Sequence, residues 1–94
     1  MPKLLIIKGI IFYIASQDIF ESRRHIHIES KKGKFRTNAK VWLEPEIETA
    51  KLGNFSEIEM NKILKLIQKN LGSINKQLDI FESDPSKIKT IIIK

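Results

Sequence analysis

Apolar and polar residues alternate through the first half of the chain, the pattern of strands that bury one face. Residues 3–7 and 10–15 are rich in β-branched and aromatic side chains and predict two short strands. Residues 25–29 and 35–43 predict two more strands, connected as a hairpin. Residues 46–50 predict an edge strand, because they follow a proline, which cannot donate to a sheet ladder.

A long amphipathic helix is the clearest element of the second half. Ser56 and Glu59 have the spacing of a capping box, and Phe55 and Met60 have that of a hydrophobic staple. Apolar residues then recur at steps of three and four and form one stripe: Met60, Ile63, Leu64, Ile67, Leu71, Ile74 and Leu78. Gly72 lies inside this stripe and predicts a kink or a break, since glycine weakens a helix.

Together these elements predict an α+β fold: a small, mainly antiparallel sheet of four or five strands with one long C-terminal helix, Ser56–Leu78, packed on one face. The predicted core joins the helix stripe to four strand residues: Ile26, Ile28, Val41 and Leu43. Residues 1–82 are predicted to form a single domain, because 94 residues suffice for only one core. Residues 83–94 form a C-terminal tail whose isoleucine run predicts an added strand or a contact with a partner.

The excess positive charge of the chain lies in one segment. Seven basic residues and one acid occur between Arg23 and Lys40, which accounts for the net charge of +6. Such a local field is typical of a surface that meets an anionic partner, or of a solvated basic loop. The candidate binding residues are Arg23, Arg24, Lys31, Lys32, Lys34, Arg36, Lys40 and Trp42. Trp42 belongs to this set because an aromatic side chain beside basic residues can stack on bases, although a Trp covered by a neighbouring element is the simpler interpretation.

His25 and His27 are two residues apart and therefore share one strand face. Three roles remain open for them. They could bind a metal with carboxylates such as Glu29 or Glu44, since the chain has no cysteine. They could act as catalytic acid and base in metal-independent ribonucleolytic cleavage, because histidine titrates near neutrality. We favour a third role, in structure or recognition, and expect neither a bound metal nor a cofactor.

Composition favours a cytoplasmic protein. The chain has no cysteine, which is typical of a reducing compartment. Its longest apolar runs, Leu4–Ile7 and Ile10–Ile14, are far shorter than the roughly 20 residues that span a bilayer. The start of the chain also lacks the small-residue cleavage site of a signal peptide, so we expect no membrane contact.

Four sequence blocks resemble a known family. They are Phe12-Tyr13, His25-Ile26-His27-Ile28, Ala39-Lys40-Val41-Trp42-Leu43-Glu44-Pro45 and Phe55-Ser56-Glu57-Ile58-Glu59. On these blocks the chain resembles, over about residues 2–81, the short prokaryotic domains of unknown function 4160. It departs from the family pattern at Arg23-Arg24, where many members have Pro-Pro, and at Leu78, near the place where many have Trp.

The resemblance implies a bacterial setting and a small domain with a long C-terminal helix. Some members of the family have gene neighbourhoods like those of toxin–antitoxin operons, which implies a cognate operon protein as a partner. The family has no settled chemistry to transfer to this chain. The leading hypothesis is therefore a small binding module that contacts RNA, DNA or an acidic protein through residues 23–40. The alternatives are a ribonuclease that uses His25 and His27, and a structural domain that forms homodimers through its open sheet face.

Overall fold

A computed structural model describes residues 3–14, 23–32 and 35–93, and at 31, 32, 35 and 36 it describes the backbone alone. These residues form six strands in one sheet and two α-helices. The strands are β1 (Lys3–Ile7), β2 (Ile10–Tyr13), β3 (His25–Lys32), β4 (Phe35–Trp42), β5 (Glu48–Lys51) and β6 (Ile91–Ile93). The helices are α1 (Glu57–Lys69) and α2 (Leu71–Ser83), and a short 3-10 turn at Pro85–Lys87 leads to β6. The predicted α+β class is confirmed.

The strand order is β5-β4-β3-β2-β1-β6. Strands β1 to β5 pair antiparallel with their neighbours, whereas β6 runs parallel to β1, so the sheet is mixed. In this pairing Ile6 lies opposite Ile92, and Ile7 lies opposite Ile93. The predicted count of four or five strands was too low, because β6 has only three residues and its partner lies at the other end of the chain.

The predicted single helix is in fact two helices that meet at Asn70. The Asn70 backbone has φ −108° and ψ 18°, which departs from helical geometry. Its side-chain amide donates to the carbonyl oxygen of Leu66 at 2.9 Å, a local bond of the kind by which asparagine competes with helix continuation. Gly72 lies within the first turn of α2, so the break occurs two residues before the predicted position.

The start of α1 has the predicted cap. The Ser56 hydroxyl accepts from the backbone N–H of Glu59 at 3.1 Å, and the Glu59 carboxylate accepts from the backbone N–H of Ser56 at 3.1 Å. Both members of the predicted staple, Phe55 and Met60, are buried. Two otherwise unsatisfied N–H groups are thereby paired, which fixes where the helix begins beneath the sheet.

The core lies between the helices and one sheet face. The predicted strand residues are all buried there, as are most of the helix stripe: Ile26, Ile28, Val41, Leu43, Met60, Ile63, Ile67, Ile74 and Leu78. Gln77 is a buried polar residue on α2, and its amide nitrogen donates to the carbonyl oxygens of Leu4 at 3.0 Å and Lys89 at 2.6 Å. This side chain therefore joins α2 to β1 and to the segment before β6.

Neither helix in the described part of the chain has the length and apolarity that crossing a membrane requires. The lysines of the helical surface, Lys62, Lys65, Lys69 and Lys76, are all exposed. They occupy the side of the helices that faces away from the core, as a solvated helix surface does.

Candidate functional site

The sheet face opposite α1 and α2, which we call the open face, carries four aromatic rings in contact. Tyr13 and His27 lie opposite each other on β2 and β3, and their rings stack with centroids 5.3 Å apart. The His25 ring meets the His27 ring edge-on at 5.2 Å and the Trp42 ring edge-on at 5.6 Å. These offset and edge-on arrangements are the favourable ones for aromatic pairs. The four residues form a continuous aromatic row across β2, β3 and β4.

Two cations lie over the Trp42 ring. The guanidinium carbon of Arg23 and the ammonium nitrogen of Lys40 are each 4.4 Å from the ring centroid. Both distances are within the range of attractive cation–π contacts. Trp42 therefore holds two positive charges at the end of the aromatic row, and its half-buried ring is engaged by them.

His25 shares the face of His27, as its spacing predicts, but it is not open to solvent. It is 1% exposed, because it lies between its ring neighbours, and its Nδ1 is 3.1 Å from the carbonyl oxygen of Arg23. His25 therefore packs within the row, and its burial differs from that of His27 on the same face. His27 is half-buried and lines a surface pocket.

Arg23 is anchored beside the row by one acceptor just after β4 and another at the start of β5. Its Nε donates to the carbonyl oxygen of Glu44 at 2.6 Å, and its guanidinium forms an ion pair with Glu48 at 2.5 Å. The cation is consequently held in one orientation over Trp42. Part of its charge is compensated by the Glu48 carboxylate, which is itself exposed.

Arg24 points to the other side of the sheet and joins β3 to α2. Its guanidinium forms ion pairs with Asp79 and with Glu82, the latter at 3.2 Å, and donates to the side-chain oxygen of Asn75 at 3.1 Å. The hydrogen bond to Asp79 raises the pKa of Arg24 above its usual value, and the Glu82 carboxylate adds to the effect. The two adjacent arginines thus have separate surroundings, and Arg24 is placed to stabilise the fold.

The remaining basic candidates lie mostly on the β3–β4 hairpin. Lys31 and Arg36 are directly opposite each other, and Lys32 is opposite Phe35. Lys34 is outside the described residues. The hairpin therefore carries basic residues on both of its strands at the end distant from His25 and Trp42.

Three polar residues that sequence reasoning missed lie on the same face. Tyr13 joins the aromatic row, and Asn38 and Lys51 line a surface pocket of about 310 Å³ together with His27 and Lys40. Strand pairing brings these residues together, since Lys51 of β5 lies opposite Lys40 of β4. Only the family resemblance, through the Phe12-Tyr13 block, gave a signal for one of them.

A metal site needs several donor side chains that converge on one point. Across the described ranges, no group of three or more histidine or carboxylate side chains converges as metal ligands do. Glu29 lies opposite Ile11 and Asn38, and Glu44 bonds to the backbone N–H of Arg24.

A family model described as Domain of unknown function (DUF4160) matches residues 9–77. Searches of the curated proteins and of the solved structures each found no match. The matched span runs from β2 into α2 and contains the whole aromatic row, both cations over Trp42 and the pocket between β4 and β5.

Proposed function

Because the chain belongs to the DUF4160 family, whose function is unknown, we infer its function from the geometry of the open face. We propose that the protein is a small binding module for single-stranded nucleic acid. The surface is the open face, with the basic β3–β4 hairpin beside it. Arg24 is not part of this surface, because its charge is compensated by carboxylates of α2.

The observation that carries the proposal is the pair of cations held over Trp42 at the end of the aromatic row. Single-stranded nucleic acids are bound by surfaces that combine positive charge along the phosphate backbone with rings that stack on bases. Arg23 and Lys40 supply the charge, each 4.4 Å from the Trp42 centroid. Tyr13 and His27 supply half-buried rings on the same face. The lysines of the hairpin extend the positive field beyond the row.

An acidic protein is the alternative partner. The operon setting that the family resemblance implies would include a cognate protein that could fill this role. Charge alone would serve such a partner, and the aromatic row would then have no part in recognition. A nucleic acid uses both features, because every base has a face that can stack on a ring. The joint presence of the rings and cations therefore favours nucleic acid.

Ribonucleolytic cleavage is less well supported than binding. A general acid or base must come within about 2.6–3.2 Å of the proton that it transfers. His25 is 1% exposed and its Nδ1 contacts the backbone of Arg23, so it is poorly placed to reach a substrate. One accessible histidine, His27, does not make the predicted acid–base pair. The arrangement fits a role of His25 in holding the aromatic row.

Trp42 is the only tryptophan of the chain, so its fluorescence reports on the proposed site alone. We expect a saturable change in that fluorescence when an unlabelled single strand of about 12 nucleotides is added, since one binding site of this kind covers roughly 4–16 nucleotides. The affinity should fall with salt, with a slope in log–log form near −0.7 for each phosphate contacted.

Polyglutamate of similar length is the matched control, because it carries the negative charge without bases. We expect it to bind much more weakly than the oligonucleotide at the same salt concentration. A response to polyglutamate equal to that of the oligonucleotide would favour an acidic protein partner. No response to either polymer at low salt would reject this face as an anion-binding surface.

A further inference from the structure

The pocket between β4 and β5 has a composition that the aromatic row does not explain. Four polar side chains from three strands line it: His27, Asn38, Lys40 and Lys51. We propose that this pocket is a subsite for a phosphate group, and the inference rests on the proposed function in identifying that phosphate as part of a nucleic-acid backbone. The anion is defined by its chemistry, so free phosphate should also enter the pocket.

Two like charges are paired at the pocket. Lys40 and Lys51 lie directly opposite each other on adjacent antiparallel strands. Like charges in that position destabilise a sheet, whereas opposite charges stabilise it. Among the described residues, no ion pair involves Lys51, which is exposed. An anion bound between the two ammonium groups would convert this unfavourable pair into a favourable site.

The side chains that surround this lysine pair also suit a phosphate group. Asn38 contributes an exposed amide, and His27 lies opposite Lys40 on β3, so its imidazole borders the same pocket. A phosphate group has several acceptor oxygens and forms its strongest hydrogen bonds with charged donors. The two ammonium groups of Lys40 and Lys51 are such donors, and the amide and the imidazole offer further N–H groups beside them. None of the four lining side chains is a carboxylate that would repel the anion.

Backbone packing between β4 and the turn after β5 fixes one side of the pocket. Gly53 follows β5 with φ +62°, and a Cβ atom at this position would lie 1.8 Å from the carbonyl oxygen of Asn38. The turn after β5 therefore packs directly against β4 beside the pocket. Only glycine allows both this close approach and this backbone conformation. The backbone of Lys51, two residues earlier, is thereby held in register opposite that of Lys40.

The pocket also adjoins the aromatic row. Lys40 lines the pocket, and its ammonium nitrogen is 4.4 Å from the Trp42 centroid. An anion captured by Lys40 will weaken the contact between this cation and the ring, so Trp42 fluorescence will report on phosphate binding. A nucleotide whose phosphate occupies the pocket would have its base beside the rings of the open face.

The test is a titration with inorganic phosphate at constant ionic strength, adjusted with chloride and followed by Trp42 fluorescence. The wild type should show a saturable change. Lys51→Gln should weaken phosphate binding about tenfold, as loss of one charged hydrogen-bond donor does. Lys65→Gln, which removes the same charge from an exposed position on α1, should bind as the wild type does.

A second variant separates a binding role from a structural role. Lys51→Glu places an acid opposite Lys40, so it should abolish the phosphate response and raise the melting temperature at the same time. If Lys51→Glu lowers the melting temperature, the lysine pair supports the fold and the subsite is wrong. If Lys51→Gln binds phosphate as tightly as Lys65→Gln, the subsite is also wrong.

The same variants separate this inference from the proposed function. If an oligonucleotide binds the wild type and Lys51→Gln with equal affinity and equal salt slope, the nucleic-acid function stands and the subsite falls. If phosphate binds through Lys51 but no oligonucleotide binds, the subsite stands and the proposed function falls. Loss of roughly 0.7 from the salt slope in Lys51→Gln alone would support both.

Discussion

Ile67→Ala will lower the free energy of unfolding by about 2–5 kcal/mol, the usual cost of truncating a buried isoleucine. Ile67 is fully buried and is the last buried residue of α1, close to the junction with α2. The cavity left by the substitution lies in the core that the described residues form, in a small domain whose total stability is about 5–15 kcal/mol. Chemical denaturation followed by circular dichroism should show a clear fall in the unfolding midpoint.

Ile58→Ala is the matched control, because it makes the same change in the same helix at a side chain that is 70% exposed. We expect its effect to stay within about 0.5 kcal/mol, as is usual for surface positions. Similar midpoints for the two variants would mean that the stripe of α1 does not face the sheet. The open face could then no longer be identified, since it is defined as the side of the sheet that the helices leave uncovered.

A fourfold substitution in the β3–β4 hairpin will cause the largest loss of nucleic-acid affinity. The variant replaces by glutamine the basic residues Lys31, Lys32, Lys34 and Arg36. Arg23 and Arg24 stay in place, because both form ion pairs and their loss would disturb the fold. If all four residues contact phosphates, the salt slope should fall by about 3, with a loss of affinity of ~10² or more at low salt. Fluorescence anisotropy of a labelled oligonucleotide measures both quantities.

Four lysines on the helices provide a control variant with the same change in net charge. Glutamine at Lys62, Lys65, Lys69 and Lys76 also removes four positive charges, and all four side chains are exposed on the helices. We expect this second variant to bind nearly as the wild type does. An equal loss of affinity in the two variants would show that the overall charge of the protein, and not the sheet face, attracts the ligand.

Local patterns in the sequence predicted the elements whose causes are local. The capping box of Ser56 and Glu59 and the helix stripe depend on residues three or four apart, and both are present. Strand β6 was not included in the predicted sheet count, because its pairing with β1 joins the two ends of the chain. The helix break was predicted at Gly72, whereas the structure has it at Asn70. The side-chain hydrogen bond of Asn70 to Leu66 competes with helix continuation there, and the low helix propensity of Gly72 does not interrupt α2.

Strand alternation predicts which residues of one strand share a face, and the candidate site could be predicted only to that extent. A period of two places His25 and His27 on one face, and the structure confirms this. Their different exposure could not be predicted, because His25 is covered by rings from a neighbouring strand and from its own. The pairing of Lys40 with Lys51 depends on the register of β4 and β5, which includes an irregularity that no local pattern reveals.

Chemical-shift mapping by NMR will show whether the open face binds single-stranded nucleic acid. An oligonucleotide of about 12 nucleotides is added to the ¹⁵N-labelled protein, and the shift change of every assigned amide and of the Trp42 indole is recorded. If the open face is the binding surface, the largest changes will occur at Tyr13, His27, Lys40 and Trp42, with little change along the exposed surface of α1. Changes confined to the helices, or none under low-salt conditions, would contradict binding at this face.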